Sequence, residues 1–301
     1  MRCEVTDFFC LNPNYSTTRR VTTKKPVPIQ DHDDKFQSFL LLPKSDGRKS
    51  EGGLRCNNYF KTGSHELPLI SVVTVVFNGK KYLERSIQSV IGQSYENVEY
   101  IVVDGGSTDG TLDVLYGYED SIDYWVSEKD FGIYDAMNKG ISLSSGQWIY
   151  FLGADDLLVQ KILEKVHTLL IDDSAIYYGN VRFVPDLSIY DGPFDKCKLF
   201  VKNICHQAMF FPRSAFKTNR YSTQYKYLSD YKMNLKLFFI EKRTFNYLDY
   251  LIAEYQRDGL SSVNTERKIN LYKIFILIKN PNLLFYRKIY SYLYSKVFKR
   301  K

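Results

Sequence analysis

From Pro68 onward the chain repeats one pattern four times: a short apolar run, a polar break, then apolar residues at helical spacing. LISVVTVVF follows Pro68 and is β-branched almost throughout, as strands buried on both faces of a parallel sheet are. Asn78-Gly79 breaks it, and Leu83, Ile87, Val90 and Ile91 then mark one face of a helix. EYIVVD predicts the second strand, Ser107-Thr108-Asp109 a helix start, and Leu112 and Leu115 the face of a short helix. IDYWVS predicts the third strand, with Ile133, Met137, Gly140 and Ile141 on the helix behind it. WIYFLGA predicts the fourth, followed by a helix carrying Leu158, Ile162, Val166 and Leu169. Strands alternating with helices imply right-handed crossovers and an α/β fold with an open, mostly parallel central sheet.

The flanks read differently. Residues 1–67 are polar and show no sustained period, which predicts an irregular N-terminal arm laid over the domain through Phe39, Leu40, Leu41 and Leu42. Residues 68–265 form the expected single domain, with a first half at 68–174 and a second at 175–265. The second half brings short aromatic strands, AIYYGNVRFV and AMFFPR, and a helix around Tyr231–Phe239. Residues 266–301 hold ten Lys/Arg and one Glu, so the net charge of +7 resides in this stretch and the rest is close to neutral. Such a basic, Tyr- and Ile-rich tail, broken at Pro281, predicts either amphipathic helices on an anionic membrane surface or a helical lid over the core. Nucleic acid is not an expected partner, because no finger, helix-turn-helix or ribonucleoprotein motif is present. Five cysteines without CxxC spacing, and a start lacking a basic region followed by an apolar one, lead to the expectation of a reducing cytoplasm.

Chemistry falls at the strand ends. In open α/β sheets ligands bind beyond the carboxyl ends of the strands, near the reversal in strand order. Asn78 follows the first strand, Asp104 ends the second, Glu128 and Asp130 end the third, and Asp155-Asp156 follow the fourth. A single Asp there is an ordinary turn former or helix cap, and Asp156 would cap a helix beginning at Leu157. Several carboxylates facing one crevice repel one another unless a cation joins them. Hard oxygen donors at Asp155 and Asp156 suit Mg²⁺ or Mn²⁺, with water and substrate phosphates completing the shell. DGGSTDGT lacks the Lys of a P-loop and the acidic spacing of an EF-hand.

The stretch PLISVVTVVFNGKKYLERSIQSVIGQSYENVEYIVVDGGSTDGT, with SEKDFGIYDAMNKGI and FLGADDLL after it, resembles the donor half of family 2 glycosyltransferases of the GT-A fold. The likeness is close over 68–171 and looser over 175–265. It implies that Phe77 and Asn78 border a nucleobase, that Asp104 accepts hydrogen bonds from base or ribose, and that Asp155, with Asp156 beside it, holds the metal. The first Asp of the family's DxD is Gly153 here, and Asp135 stands where many relatives carry a basic residue, for which Lys139 or Arg257 would compensate. The resemblance further implies that Asp230 in YLSDY is the catalytic base, that His206 and Gln207 shape the acceptor side, and that RDGLSS at 257–262 closes near the donor phosphates.

The expected activity is inverting, metal-dependent, hexosyltransferase-type transfer from a nucleotide-sugar, a UDP-sugar favoured, to a glycan or lipid-linked acceptor. Its expected setting is bacterial surface polysaccharide assembly at the inner face of the cytoplasmic membrane. Two alternatives stand beside it. A nucleotidyltransferase would want a Gly-rich, basic loop after the first strand, which VVFNGKKY does not supply. A catalytically inactive nucleotide-sugar-binding module would account for Gly153 and Asp135.

Overall fold

The computed structural model describes residues 7–28, 30–256 and 267–285. Its strands and helices are β1 (Arg48–Gly52), β2 (Ile70–Val76), α1 (Lys80–Ile91), β3 (Val98–Asp104), α2 (Thr111–Gly117), β4 (Tyr124–Glu128), α3 (Ile133–Leu143), β5 (Trp148–Gly153), β6 (Leu157–Leu158) and α4 (Ile162–Val166). They continue with β7 (Ile176–Val184), β8 (Ile189–Tyr190), α5 (Lys196–Val201), β9 (Met209–Pro212), α6 (Ser229–Leu235), β10 (Phe245–Gln256) and α7 (Arg267–Lys279). The strands form one sheet in the order β1-β4-β3-β2-β5-β9-β7-β10-β6, with β8 paired to β7.

β4, β3, β2 and β5 run parallel, and β10 runs parallel to β7; β9 is antiparallel to both β5 and β7. The six long strands therefore end along the same edge. The chain steps outward from β2 to β3 and β4, then returns to the other side of β2 at β5, so strand order reverses there and leaves the crevice that open α/β sheets use for ligands. The apolar runs are buried on both sides, as their composition requires: one layer holds Val73, Ile101, Val103, Met137 and Phe151, the other Val72, Leu83, Ile87, Tyr100 and Leu152.

Three expectations need correction. The arm is not irregular throughout, since β1 lies inside it and pairs antiparallel with β4 along the sheet edge. The loop residue Arg55 anchors it, ion-pairing with Glu99 where both side chains are almost fully buried and donating to the Leu40 and Leu143 carbonyls. Leu40 is buried and Phe39 and Leu42 pack on the core, whereas Leu41 points out. The helix expected from Leu158 onward is shorter: Leu157 and Leu158 form β6 against β10, and the helix begins at Ile162. The expected helix around Tyr231–Phe239 begins earlier, at Ser229, and passes after Leu235 into a π-helical turn.

The inner face of α7 packs into the core through Ile269, Ile276 and Leu277, with Lys273 buried against the rings of Tyr231 and Phe200. Among the described residues no helix is long and apolar enough to cross a membrane.

Candidate active site

The loops after β2 and β3 are sewn together. Asn78, at a φ of 52°, donates its N–H to the Ser107 hydroxyl (2.7 Å), and its side-chain oxygen accepts the Thr108 N–H (2.9 Å). The Gly79 N–H reaches Thr111 (2.9 Å) and the Lys80 N–H reaches Asp109 (3.0 Å). Asp104 organises this turn from beneath. It is fully buried, and its carboxylate accepts the N–H groups of Gly106 (3.1 Å) and Ser107 (2.9 Å) and the hydroxyls of Ser107 and Ser127. Those donors hold the chain at Gly106, whose φ of 85° is readily available only to glycine. Where the resemblance implies an acceptor of hydrogen bonds from base or ribose, the structure shows Asp104 as a buried support of the loop. Phe77, 66% exposed, presents an open aromatic face at the rim of the crevice.

Across the strand-order reversal stand Asp155 and Asp156, and their environments differ. Asp156 is 1% exposed; its two oxygens accept the Gln256 N–H (3.0 Å) and the Gln207 side-chain amide (2.7 Å). Burial first, and the neighbouring Asp155 second, push its pKa up to about 7. It caps no helix. Asp155 is half-buried, with its pKa raised by desolvation and drawn down by His206. Gly153 is needed here because a β-carbon would lie 2.3 Å from Oδ2 of Asp156. The side chain missing from the first DxD position thus leaves room for the carboxylate of Asp156, the residue after the motif's last position.

A divalent cation fits this donor set with Asp155 as the protein's open oxygen ligand. Asp156, expected beside it as a ligand, has both oxygens in hydrogen bonds within the chain. Among the described residues no group of three or more His, Cys, Asp or Glu side chains forms a metal cage. Mg²⁺-type sites completed by substrate phosphates and water require only one or two carboxylates.

Asp230, in the first turn of α6, is buried and held from two sides. The Tyr134 hydroxyl, from α3, lies 2.9 Å from Oδ1 and the Asn203 amide donates to Oδ2 at 2.8 Å. His206 places Nδ1 3.5 Å from the same Oδ2. Because His206 stands beside Asp230 while Gln207, the next residue, binds Asp156, the His206-Gln207 segment joins the two acidic centres. Tyr134 and Asn203 escaped sequence reasoning: one lies 96 residues before Asp230 and the other 27, with no shared motif.

Lys139 does not reach out to a ligand. Its ammonium pairs with Glu128 at 2.7 Å and lies 3.8 Å from Asp135, and Arg48 holds Glu128 from the other side at 3.0 Å. Arg257 and the segment RDGLSS lie outside the described residues.

The profile of Glycosyl transferase family 2 matches residues 71–228, more than half of the chain. A PGL/p-HBAD biosynthesis glycosyltransferase of Mycobacterium bovis is 32% identical over 210 residues, which cover 67% of this chain and 82% of that one. The chain belongs to glycosyltransferase family 2. Its fold is GT-A-like: the structure of Staphylococcus aureus TarS 1–349 in complex with UDP-GlcNAc superposes with a TM-score of 0.59 at 16% identity, over 76% of this chain and 73% of that one. The mannosyltransferase PcManGT of Pyrobaculum calidifontis, in complex with GDP-Man and Mn²⁺, gives 0.52 at 16%, over 80% and 79%.

Proposed function

We propose that the chain transfers a sugar from a nucleotide-sugar, a UDP-sugar favoured, to an acceptor hydroxyl with inversion, and that Asp230 is the base. The observation that carries this reading is that one short segment touches both acidic centres: His206 lies 3.5 Å from Asp230 at the head of α6, and Gln207 donates to Asp156, the neighbour of Asp155 at the donor crevice. The TarS complex with UDP-GlcNAc and the PcManGT complex with GDP-Man and Mn²⁺ support a nucleotide-sugar donor and a divalent metal, Mg²⁺ or Mn²⁺. The mycobacterial relative belongs to PGL/p-HBAD biosynthesis, which supports a role in glycoconjugate biosynthesis, proposed here to be surface polysaccharide assembly.

In the proposed step the acceptor oxygen attacks the anomeric carbon from the face opposite the diphosphate. The new C–O bond forms as the bond to the phosphate oxygen breaks, and that electron pair leaves with the nucleoside diphosphate. The acceptor's proton passes to Asp230. Tyr134 and Asn203 fix the carboxylate in orientation, so that one geometry is presented to the incoming hydroxyl. A cation held by Asp155 would neutralise the charge developing on the departing diphosphate. Phe77 and the Asn78 loop border the base at the rim, Asp104 serving them from below, while His206 and Gln207 line the acceptor side. Lys139 acts indirectly, by keeping Glu128 and the neighbouring loop in place.

The test is turnover of a panel of UDP-, GDP- and TDP-sugars with Mn²⁺ or Mg²⁺, by the wild type and by Asp230→Asn. The substitution preserves shape and removes proton acceptance, so transfer should fall by roughly 10²–10⁴-fold while donor affinity holds. Wild-type turnover by the variant would assign the base to another residue, and donor binding without turnover by the wild type would favour a binding module.

A further inference from the structure

A helix apolar on all sides belongs in an interior or at a lipid surface. α7 is apolar on two opposite faces, and only one of them is buried. Ile269, Lys273, Ile276 and Leu277 turn inward. Leu271, Ile274, Phe275 and Ile278 recur at the i, i+3, i+4, i+7 spacing of one helical stripe, and all four are exposed, Leu271 by 68% and Ile278 by 72%. Scattered exposed aliphatics are unremarkable on a protein surface, but a continuous stripe marks a contact face. Exposed Lys268 and Lys279 stand near its two ends. The sixteen residues 286–301 add six Lys/Arg, no acidic residue, and further Tyr, Leu and Phe.

We infer that this outer face of α7 docks on the surface of an anionic lipid bilayer. At 13 residues the helix is too short to span, since a crossing helix needs about 20. It has the length and stripe to lie in the interface with its apolar side chains among the acyl chains, while the Lys side chains at its two ends meet the headgroups. Charge complementarity selects this occupant over a second copy of the chain, because like charges on two such faces would meet.

The placement bears on the reaction, and here the inference rests on Asp230 being the base. α7 leans on α6 and the segment before it: the Lys268 ammonium donates to the Gln224 carbonyl at 2.9 Å, and the Lys273 ammonium lies 4.6 Å from the centre of the Tyr231 ring. Tyr231 is the residue after Asp230. A bilayer under α7 therefore lies one helix away from the base, and the acceptor class that suits this geometry is a hydroxyl carried on a lipid anchor.

The experiment is co-sedimentation of the full chain, without donor or acceptor, with phosphatidylcholine vesicles that contain or lack phosphatidylglycerol. Wild type should partition onto the anionic vesicles only, and high salt should release it. The triple variant Leu271→Gln/Phe275→Gln/Ile278→Gln should lose partitioning by at least about tenfold, with an unchanged melting temperature and unchanged turnover on a water-soluble acceptor. Separately, tryptophan introduced as Leu271→Trp should shift its emission to the blue on adding anionic vesicles. Wild type that stays in solution at low salt, a triple variant that binds as wild type does, or a Leu271→Trp emission that does not move would each overturn the docking face. So would sedimentation equilibrium showing a wild-type dimer that the triple variant abolishes. Because binding is read without substrates, its failure leaves the Asp230 assignment standing, and an inactive Asp230→Asn that still binds vesicles leaves the docking face standing.

Discussion

Adjacent carboxylates with unlike surroundings carry different chemistry, and Asp155 and Asp156 are such a pair. Asp155 keeps an outlook on the crevice, so Asp155→Ala should abolish metal-stimulated turnover. Chelation of the wild type should do the same reversibly, with Mn²⁺ or Mg²⁺ restoring activity; full activity in excess chelator would remove the cation from the reaction. Asp156 is instead a buried acid whose pKa burial pushes up to about 7 in the fold, against about 4 in the unfolded chain. Between those values the folded state binds a proton that the unfolded state has lost, so the stability conferred by neutral Asp156 is complete below about pH 4 and is lost as pH rises through about 7. Thermal melts of metal-free protein from pH 5 to pH 8 should show that decline, and Asp156→Asn should flatten it. An identical slope in both proteins would locate the titration elsewhere. The sequence made the acidic pair legible but not this division of labour, because the difference comes from Gln207 and the Gln256 N–H, which are 51 and 100 residues away.

Elements were legible where their pattern was self-contained. β2, β3, β4 and β5 are nearly unbroken apolar runs because both of their faces are covered, so each is legible as a strand of a mostly parallel sheet. β10 was not read: in FNYLDYLIAEYQ the pairing with β7 shifts register twice, so neither alternation nor an unbroken run survives. β1 was missed for another reason, since RKSEG is a polar edge strand held by charge. Glu128 receives Arg48 from β1 and Lys139 from α3, so the strand is fixed by ion pairs that no hydrophobic period reveals. The arm's strongest tie lies deeper, in the Arg55–Glu99 pair, where Glu99 is also held by Ser71 and Ser145. Removing one partner of a buried pair strands the other charge, so Arg55→Met should cost about 3–5 kcal/mol in urea unfolding. Glu99→Gln added to it should recover part of that loss, and two independent, additive losses would show that the pair is not coupled.

At the scale of the whole molecule, the near-neutral catalytic body and the basic region that follows it meet in α7, which belongs to both. Its inner face is part of the same core that carries α3, β5 and α6, through Ile269, Ile276 and Leu277, and Leu283 beyond its end joins that cluster. Its outer face is the exposed stripe. The sequence suggested a lid and a membrane contact as competing readings, because alternating aliphatic, aromatic and basic residues suit either; the inner face now gives a lid-like packing role a physical basis of its own. Each buried aliphatic side chain contributes roughly 1.5–3 kcal/mol, so deleting residues 267–301 should lower the melting temperature by at least about 5 °C whatever the membrane does. The exposed residues of the same helix predict the opposite separation: Leu271→Gln/Phe275→Gln/Ile278→Gln should melt as wild type does. A calorimetric comparison of the three proteins without lipid decides the matter. A truncated chain that melts like wild type would mean that the packing of α7 adds no stability, and a triple variant that melts early would mean that the outer stripe is covered within the molecule.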